Sequence, residues 1–194
     1  MRPSIEDLKT LWLHAYSRLA FNEAIEYLDL LPKVPAGVMA RVLISAAVVA
    51  YARPFSACRV TSTEKVVPLR GVKPPDDLAE NHQDAIDLRN KLIGHKDAVP
   101  AERHTTSPNI VLIHKLPTYF EVHTTTIDSM DQSAQLALKK LCVFFKQHCE
   151  SIISPITKRY FAEVMKNPDG IYELIISEPP SDWIKPFQPK ASAA

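Results

Sequence analysis

The chain has 194 residues, enough for one domain with a sizeable core and too short for two comfortable ones. Hydrophobic residues make up 46% of it and charged residues 23%, which sets aside the disordered and fibrous classes. A formal net charge of +1 gives no global basic field, which argues against a dedicated duplex-DNA binder and leaves only a local anion or nucleic-acid contact.

The opening "MRPSIEDLKTLWLHAY" carries Glu6, Asp7 and Lys9 where a signal peptide would need an apolar run, so a cytoplasmic location is expected. Ser4 reads as the N-cap of a first helix reaching about Leu31. Ile5, Leu8, Leu11, Trp12, Ala15, Leu19, Ala24, Ile25, Leu28 and Leu31 lie near one side of it. "PKVP" ends that helix, and Pro35 can open a second, "AGVMARVLISAAVVAYARPFSACR", apolar nearly all round up to Tyr51 and expected to be the most buried. Its apolar stretch at 42–52 is about half of what a bilayer span needs, so it is read as a core helix with no membrane partner. Pro54 then kinks or ends it, leaving Arg53 at its terminus.

Pro75 or Asp76 can start a third helix, "DLAENHQDAIDLRNKLIG", acidic at its start and basic at its end. Residues 109–126 hold two β-branched or aromatic runs around Lys115 to Thr118, which reads as a hairpin. A long fourth helix is expected over 129–165, broken or bent near Pro155. "GIYELIIS" can form one more short strand, and the proline-rich end from residue 178 is expected to lie extended. The expectation is therefore a mainly α protein: an antiparallel four-helix bundle over 1–177 with a small β-hairpin insertion, followed by an extended Pro-rich tail over 178–194.

Sixteen prolines stand against four glycines, and neither common glycine-rich phosphate loop is present. Cys58, Cys142 and Cys149 include no pair with zinc-ligand spacing. His114 and His123 read as surface strand histidines, so no metal and no cofactor is assigned.

The stretch "DLRNKLIGHKDA" at 87–98 places an arginine, an asparagine and a histidine where a helix stops, because Gly94 is the residue type that ends helices in a left-handed turn. One reading is a helix end decorated with cations that complement the dipole. The other is chemical. Arg89 can hold a phosphate by two parallel hydrogen bonds, and His95, titrating near neutrality, can take a proton from a ribose 2′-hydroxyl and return one to a leaving oxygen. On an unbroken helix the two side chains would sit roughly 120° apart, so their meeting requires the helix to end at Gly94. Lys91 and Lys96 add positive charge beside the motif, and Arg53 is either a helix-end cation or a second phosphate contact.

"LRNKLIGHKD" resembles the signature of the HEPN superfamily, in which an arginine is followed by a polar residue and, four to six residues after the arginine, by a histidine. Arg89, Asn90 and His95 match it. The upstream "AAVVAYARPF" is similar to a segment of bacterial HEPN-like proteins of the abortive-infection type, whose motif often ends as "HKD" does at 95–97. The resemblance implies an antiparallel helical bundle, often a homodimer, with the arginine and histidine of both subunits meeting in a cleft. It implies metal-independent endoribonuclease activity in a toxin, phage-defence or RNA-processing setting, or a non-catalytic module that binds nucleotide, RNA or a partner antitoxin. Arg89, Asn90 and His95 would then be catalytic, with Arg53, Lys91 and Lys96 contacting phosphate; the hairpin at 109–126 departs from the minimal bundle.

Overall fold

The computed structural model describes residues 3–59, 65–93, 111–115, 117, 120–124, 130–168, 170, 172–174 and 184–186. Among them the protein is mainly helical, with α1 (Ile5–Leu30), α2 (Val38–Ala52), α3 (Ala79–Ile93) and α4 (Gln132–Val164). Three antiparallel two-stranded pairings join β1 (Cys58–Arg59) to β2 (Lys65–Val66), β3 (Val111–Lys115) to β4 (Phe120–Thr124) and β5 (Tyr172–Leu174) to β6 (Ile184–Pro186). The chain divides into two compact units: Met1–Leu19, Pro54–Arg70 and Lys146–Ala194 form the first, and Ala20–Arg53 and Gly71–Phe145 the second.

In the first unit α1 starts as expected. The Ser4 hydroxyl oxygen accepts the Asp7 backbone N–H at 3.0 Å, and the Ser4 carbonyl accepts that of Leu8, also at 3.0 Å. The first of these N–H groups is one of the donors that any helix start leaves orphaned, and the second makes the opening bond of the helix ladder. Leu8, Ile156 and Tyr160 are buried together, flanked by Leu11, Ile152 and Val164. Helix α4 continues through Pro155 without a break. Proline removes the hydrogen bond to the carbonyl four residues earlier. Here Pro155 and Ser151 are both exposed, so water can serve that carbonyl in place of the lost N–H. The expected strand in "GIYELIIS" is β5, with Tyr172 opposite Pro186 and Leu174 opposite Ile184. Residues 184–186 thus lie in a strand pair, and the remainder of the proline-rich end lies outside the described residues.

In the second unit the buried apolar residues come from the end of α1 (Ala20, Phe21, Ala24, Leu28), from α2 (Leu43, Ile44, Ala47, Val48, Ala50, Tyr51, Ala52), from α3 (Ala85, Leu88) and from α4 (Leu138, Leu141, Cys142, Phe145). Three rings, Phe21, Tyr51 and Phe145, pack with centroids 5.7 to 6.3 Å apart, within the range of favourable aromatic pairs. Helix α2 begins at Val38 and not near Pro35, because Gly37 precedes it at φ +124°, a conformation open to glycine and strained for other residues. Its apolar reach is also longer than the 42–52 stretch. Val38–Phe55 has mean hydropathy 1.5 and is long and apolar enough to cross a membrane, yet 44% of it is buried inside the protein. The buried part starts at Leu43, while Val38, Met39 and Val42 are exposed. The expected hairpin is β3–β4, in which Ile113 pairs with Val122 and His114 with Glu121.

Candidate functional site

Helix α3 carries the motif arginine. It is preceded by a short 3-10 turn, Asp76–Leu78, whose Pro75 N-cap sets φ to −53° and whose acidic residues suit the positive end of the helix dipole. Ala85 and Leu88 face the core, which leaves Arg89 half-buried and Asn90 exposed in the last described turns. The two side chains meet: Arg89 Nη1 donates to Asn90 Oδ1 at 3.1 Å. Arg89 Nε is buried and has no hydrogen-bond acceptor among the described residues. A buried N–H without an acceptor is costly, so this guanidinium has a built-in demand for an oxygen ligand.

Lys91 lies on α3, and its side chain is outside the described residues, as are Gly94, His95 and Lys96. The described part of α3 runs to Ile93. Arg53, at the end of α2, is engaged elsewhere. Its Nη2 pairs with Glu23 of α1, and its backbone N–H bonds to the carbonyls of Ala50 and Val49. Its Nε, like that of Arg89, is buried without an acceptor among the described residues. The two arginines therefore have separate partners, Glu23 for one and Asn90 for the other.

Sequence reasoning passed over His82. Its Nδ1 lies 2.6 Å from the hydroxyl of Tyr51, and its ring stands edge-on to that of Tyr51 with centroids 5.9 Å apart. Burial lowers the His82 pKa and raises that of Tyr51, so both are held neutral at physiological pH. The pair links α2 to α3, and Arg89 follows His82 by two turns, roughly 10 Å of helix rise. No sequence signal marks His82, since a histidine within a polar helix start is unremarkable by spacing.

In the first unit Asp7 accepts hydrogen bonds from Tyr160 and Arg159. The Tyr160 hydroxyl, then Ser4 and the Arg159 charge, hold its carboxyl below the usual range. An apolar pocket beside them is lined by Pro3, Leu8, Leu11, Ile156, Thr157, Tyr160 and Val164 with Asp7 at its edge. Its one carboxylate is already occupied, so the pocket lacks the convergent polar groups of a reactive site. His14 Nδ1 bonds the Thr10 carbonyl at 2.9 Å, and its ring lies 6.0 Å from that of His148, whose pKa is lowered by burial and by this neighbour.

Cys142 and Cys149 are fully buried, and burial pushes both thiols up to about 12, which favours packing over thiolate chemistry. Among the described residues no three His, Cys, Asp or Glu side chains group to hold a metal ion. Of the site residues expected from the sequence, then, Arg89 is joined to Asn90 and Arg53 to Glu23. Comparison of the chain with protein-family models, with curated proteins and with solved structures gave no match.

Proposed function

We propose that the protein is a metal-independent endoribonuclease of the HEPN type, a cytoplasmic homodimer built as an antiparallel four-helix bundle and acting in a toxin–antitoxin or phage-defence system. The observation that carries this reading is the Arg89 side chain. It is half-buried at the end of α3, tied to Asn90 through Nη1, and offers a buried Nε–H with no acceptor among the described residues. Phosphate, like carboxylate, presents oxygens that a planar guanidinium matches in two-point fashion. Gly94 and His95 follow directly in the sequence, which supplies a group able to exchange protons near neutral pH. Arg89 would bind and stabilise the phosphorane, Asn90 would fix the guanidinium, and His95 would act as general base toward the 2′-hydroxyl and general acid toward the leaving oxygen. Lys91 and Lys96 would strengthen the approach of RNA, while Arg53, whose Nη2 is held by Glu23, would contact phosphate through its remaining N–H groups or by giving up Glu23.

The second reading is a HEPN-like module that binds nucleotide, RNA or an antitoxin without turnover. The negative end of the α3 dipole gives no help to an incoming anion, which favours the protein partner among these. Expression of the wild type beside His95→Ala in a bacterial host, with growth curves and RNA integrity as readouts, separates the two. Growth arrest and RNA breakdown with the wild type alone support the nuclease, and identical outcomes remove it.

A further inference from the structure

Within the first unit His14 of α1 and His148 of α4 stand close together, and the chemistry proposed above uses neither. Both are half-buried, with ring centroids 6.0 Å apart and planes inclined at 50°. His14 Nδ1 lies 2.9 Å from the Thr10 carbonyl, one turn earlier on its own helix. A carbonyl only accepts, so in the neutral ring Nδ1 carries the proton and the lone pair is left on Nε2. Among the described residues no hydrogen bond occupies that Nε2 or either ring nitrogen of His148. One nitrogen turned to a backbone carbonyl, which fixes the tautomer and the ring, with the other left to ligate, is the arrangement in which imidazole holds a metal ion. Burial, and then the neighbouring His14, lower the pKa of His148 and keep it in the neutral form that a ligand requires.

The separation of the rings suits an ion shared between them. A zinc ion about 2 Å from an imidazole nitrogen is about 3.2 Å from the ring centre, so two imidazoles on one ion have centroids about 5.2 Å apart at a tetrahedral angle and about 6.4 Å apart when directly opposed. The observed 6.0 Å falls between these limits. A phosphate bonded to both rings through two of its oxygens would hold them roughly 8 to 10 Å apart, and a direct N–H···N bond would draw them to about 5 Å or less. Imidazole suits zinc, copper and nickel, whereas magnesium and calcium prefer oxygen ligands. No third His, Cys, Asp or Glu among the described residues completes a group here, so the remaining positions on the ion belong to water. Arg18, one turn on from His14, acts on Cys149 beside His148 and so places a cation near the pair. Binding is therefore reversible and weaker than at a closed four-ligand site.

We propose that His14 and His148 together form a two-histidine site for a divalent transition-metal ion of the zinc type, which clips α1 to α4 within the first unit. The site uses none of Arg89, Asn90 and His95, so it stands whether or not the chain cleaves RNA.

The test is calorimetric titration of the full chain with zinc chloride at pH 7.5. One equivalent is expected to bind, without competition from magnesium chloride. His14→Gln and His148→Gln should each weaken binding by at least about tenfold, the lower bound for disturbing even the outer partner of a metal ligand. The double variant should do little further harm, since losing either ring ends the shared grip. Zinc should raise the melting temperature of the wild type and leave that of each variant unchanged. In the wild type zinc should also shield both His14 and His148 from diethyl pyrocarbonate, read by mass spectrometry, a measurement that needs no variant. Absence of binding at millimolar zinc overturns the proposal, as does binding that both variants retain, or zinc that leaves the two rings open to the reagent. Losses that simply add in the double variant also overturn it, because they belong to two separate single-ligand contacts.

Discussion

The hydroxyl of Tyr51 and Nδ1 of His82 lie 2.6 Å apart, joining positions 31 residues apart in sequence inside one aromatic cluster. Burial lowers the His82 pKa below its ordinary 6.5. The unfolded chain therefore takes up a proton at His82 at a higher pH than the folded chain does. The stability this withholds is intact above about 6.5 and is lost as pH falls through the folded value. Denaturant titrations at pH 7.5 and 5.0 should show the wild type weaker at the lower pH, with a smaller difference in His82→Phe. Some acid sensitivity will remain, because His148 is shifted the same way.

The start of α1 rests on Ser4 and Asp7. Ser4→Ala removes the side-chain acceptor of the Asp7 N–H and should cost about 1 kcal/mol in equilibrium unfolding. The Asp7 carboxyl is held low by Tyr160, Ser4 and Arg159, so its contribution is present above pH 4 and disappears as pH falls below its folded value. Tyr160→Phe should move the acid-unfolding midpoint upward.

Thiol labelling under native conditions should reach Cys58 first. Its Sγ–H points to the Val66 carbonyl at 3.4 Å, but the residue is only half-buried. Cys142 and Cys149 should react only after denaturant is added, which mass spectrometry of the labelled peptides would resolve. Rapid native labelling of either would contradict the packing of α4 in the structure.

On the ribonuclease reading, cleavage should survive EDTA, leave DNA untouched and yield 2′,3′-cyclic phosphate ends. His95→Ala should lower the rate by roughly 10²-fold or more with RNA affinity nearly unchanged. Arg89→Lys should also be damaging, since lysine keeps the charge and loses the planar two-point grip. Magnesium-dependent cleavage with 3′-hydroxyl products would show that these residues carry other chemistry.

Arg53 and Glu23 are half-exposed partners, so Glu23→Gln should change stability by no more than about 1 kcal/mol. If Arg53 is a phosphate contact, the same change frees its guanidinium and tightens RNA binding. Unchanged affinity in filter binding would confine Arg53 to its role at the end of α2.

The long elements were legible because they repeat their signal many times. Ser4 and the apolar stripe mark α1, and two β-branched or aromatic runs around Lys115 to Thr118 mark the β3–β4 hairpin. The start of α2 was not, since Pro35 is a good opening residue and only the backbone shows that Gly37 takes a conformation outside the helix. Strands of two or three residues such as Cys58–Arg59 carry too few positions for a period to show. At the site, Arg89 stood out by its company with Asn90, Gly94 and His95. The Glu23 carboxylate that meets Arg53, and the Tyr51 hydroxyl that meets His82, arrive from other helices, and spacing along the chain says nothing of such encounters.

The pairing of Tyr172–Leu174 with Ile184–Pro186 bears on how the protein can be shortened. A chain cut after residue 177 would keep β5 and discard the strand that pairs with it among the described residues. The orphaned backbone would present an open edge, ready to zip onto the same edge of another molecule. The proline-rich end, dispensable by composition, would then be the feature whose loss lets the shortened protein clump. Pro186 also suits this post, because its ring supplies no N–H and so ends the ladder on its own strand.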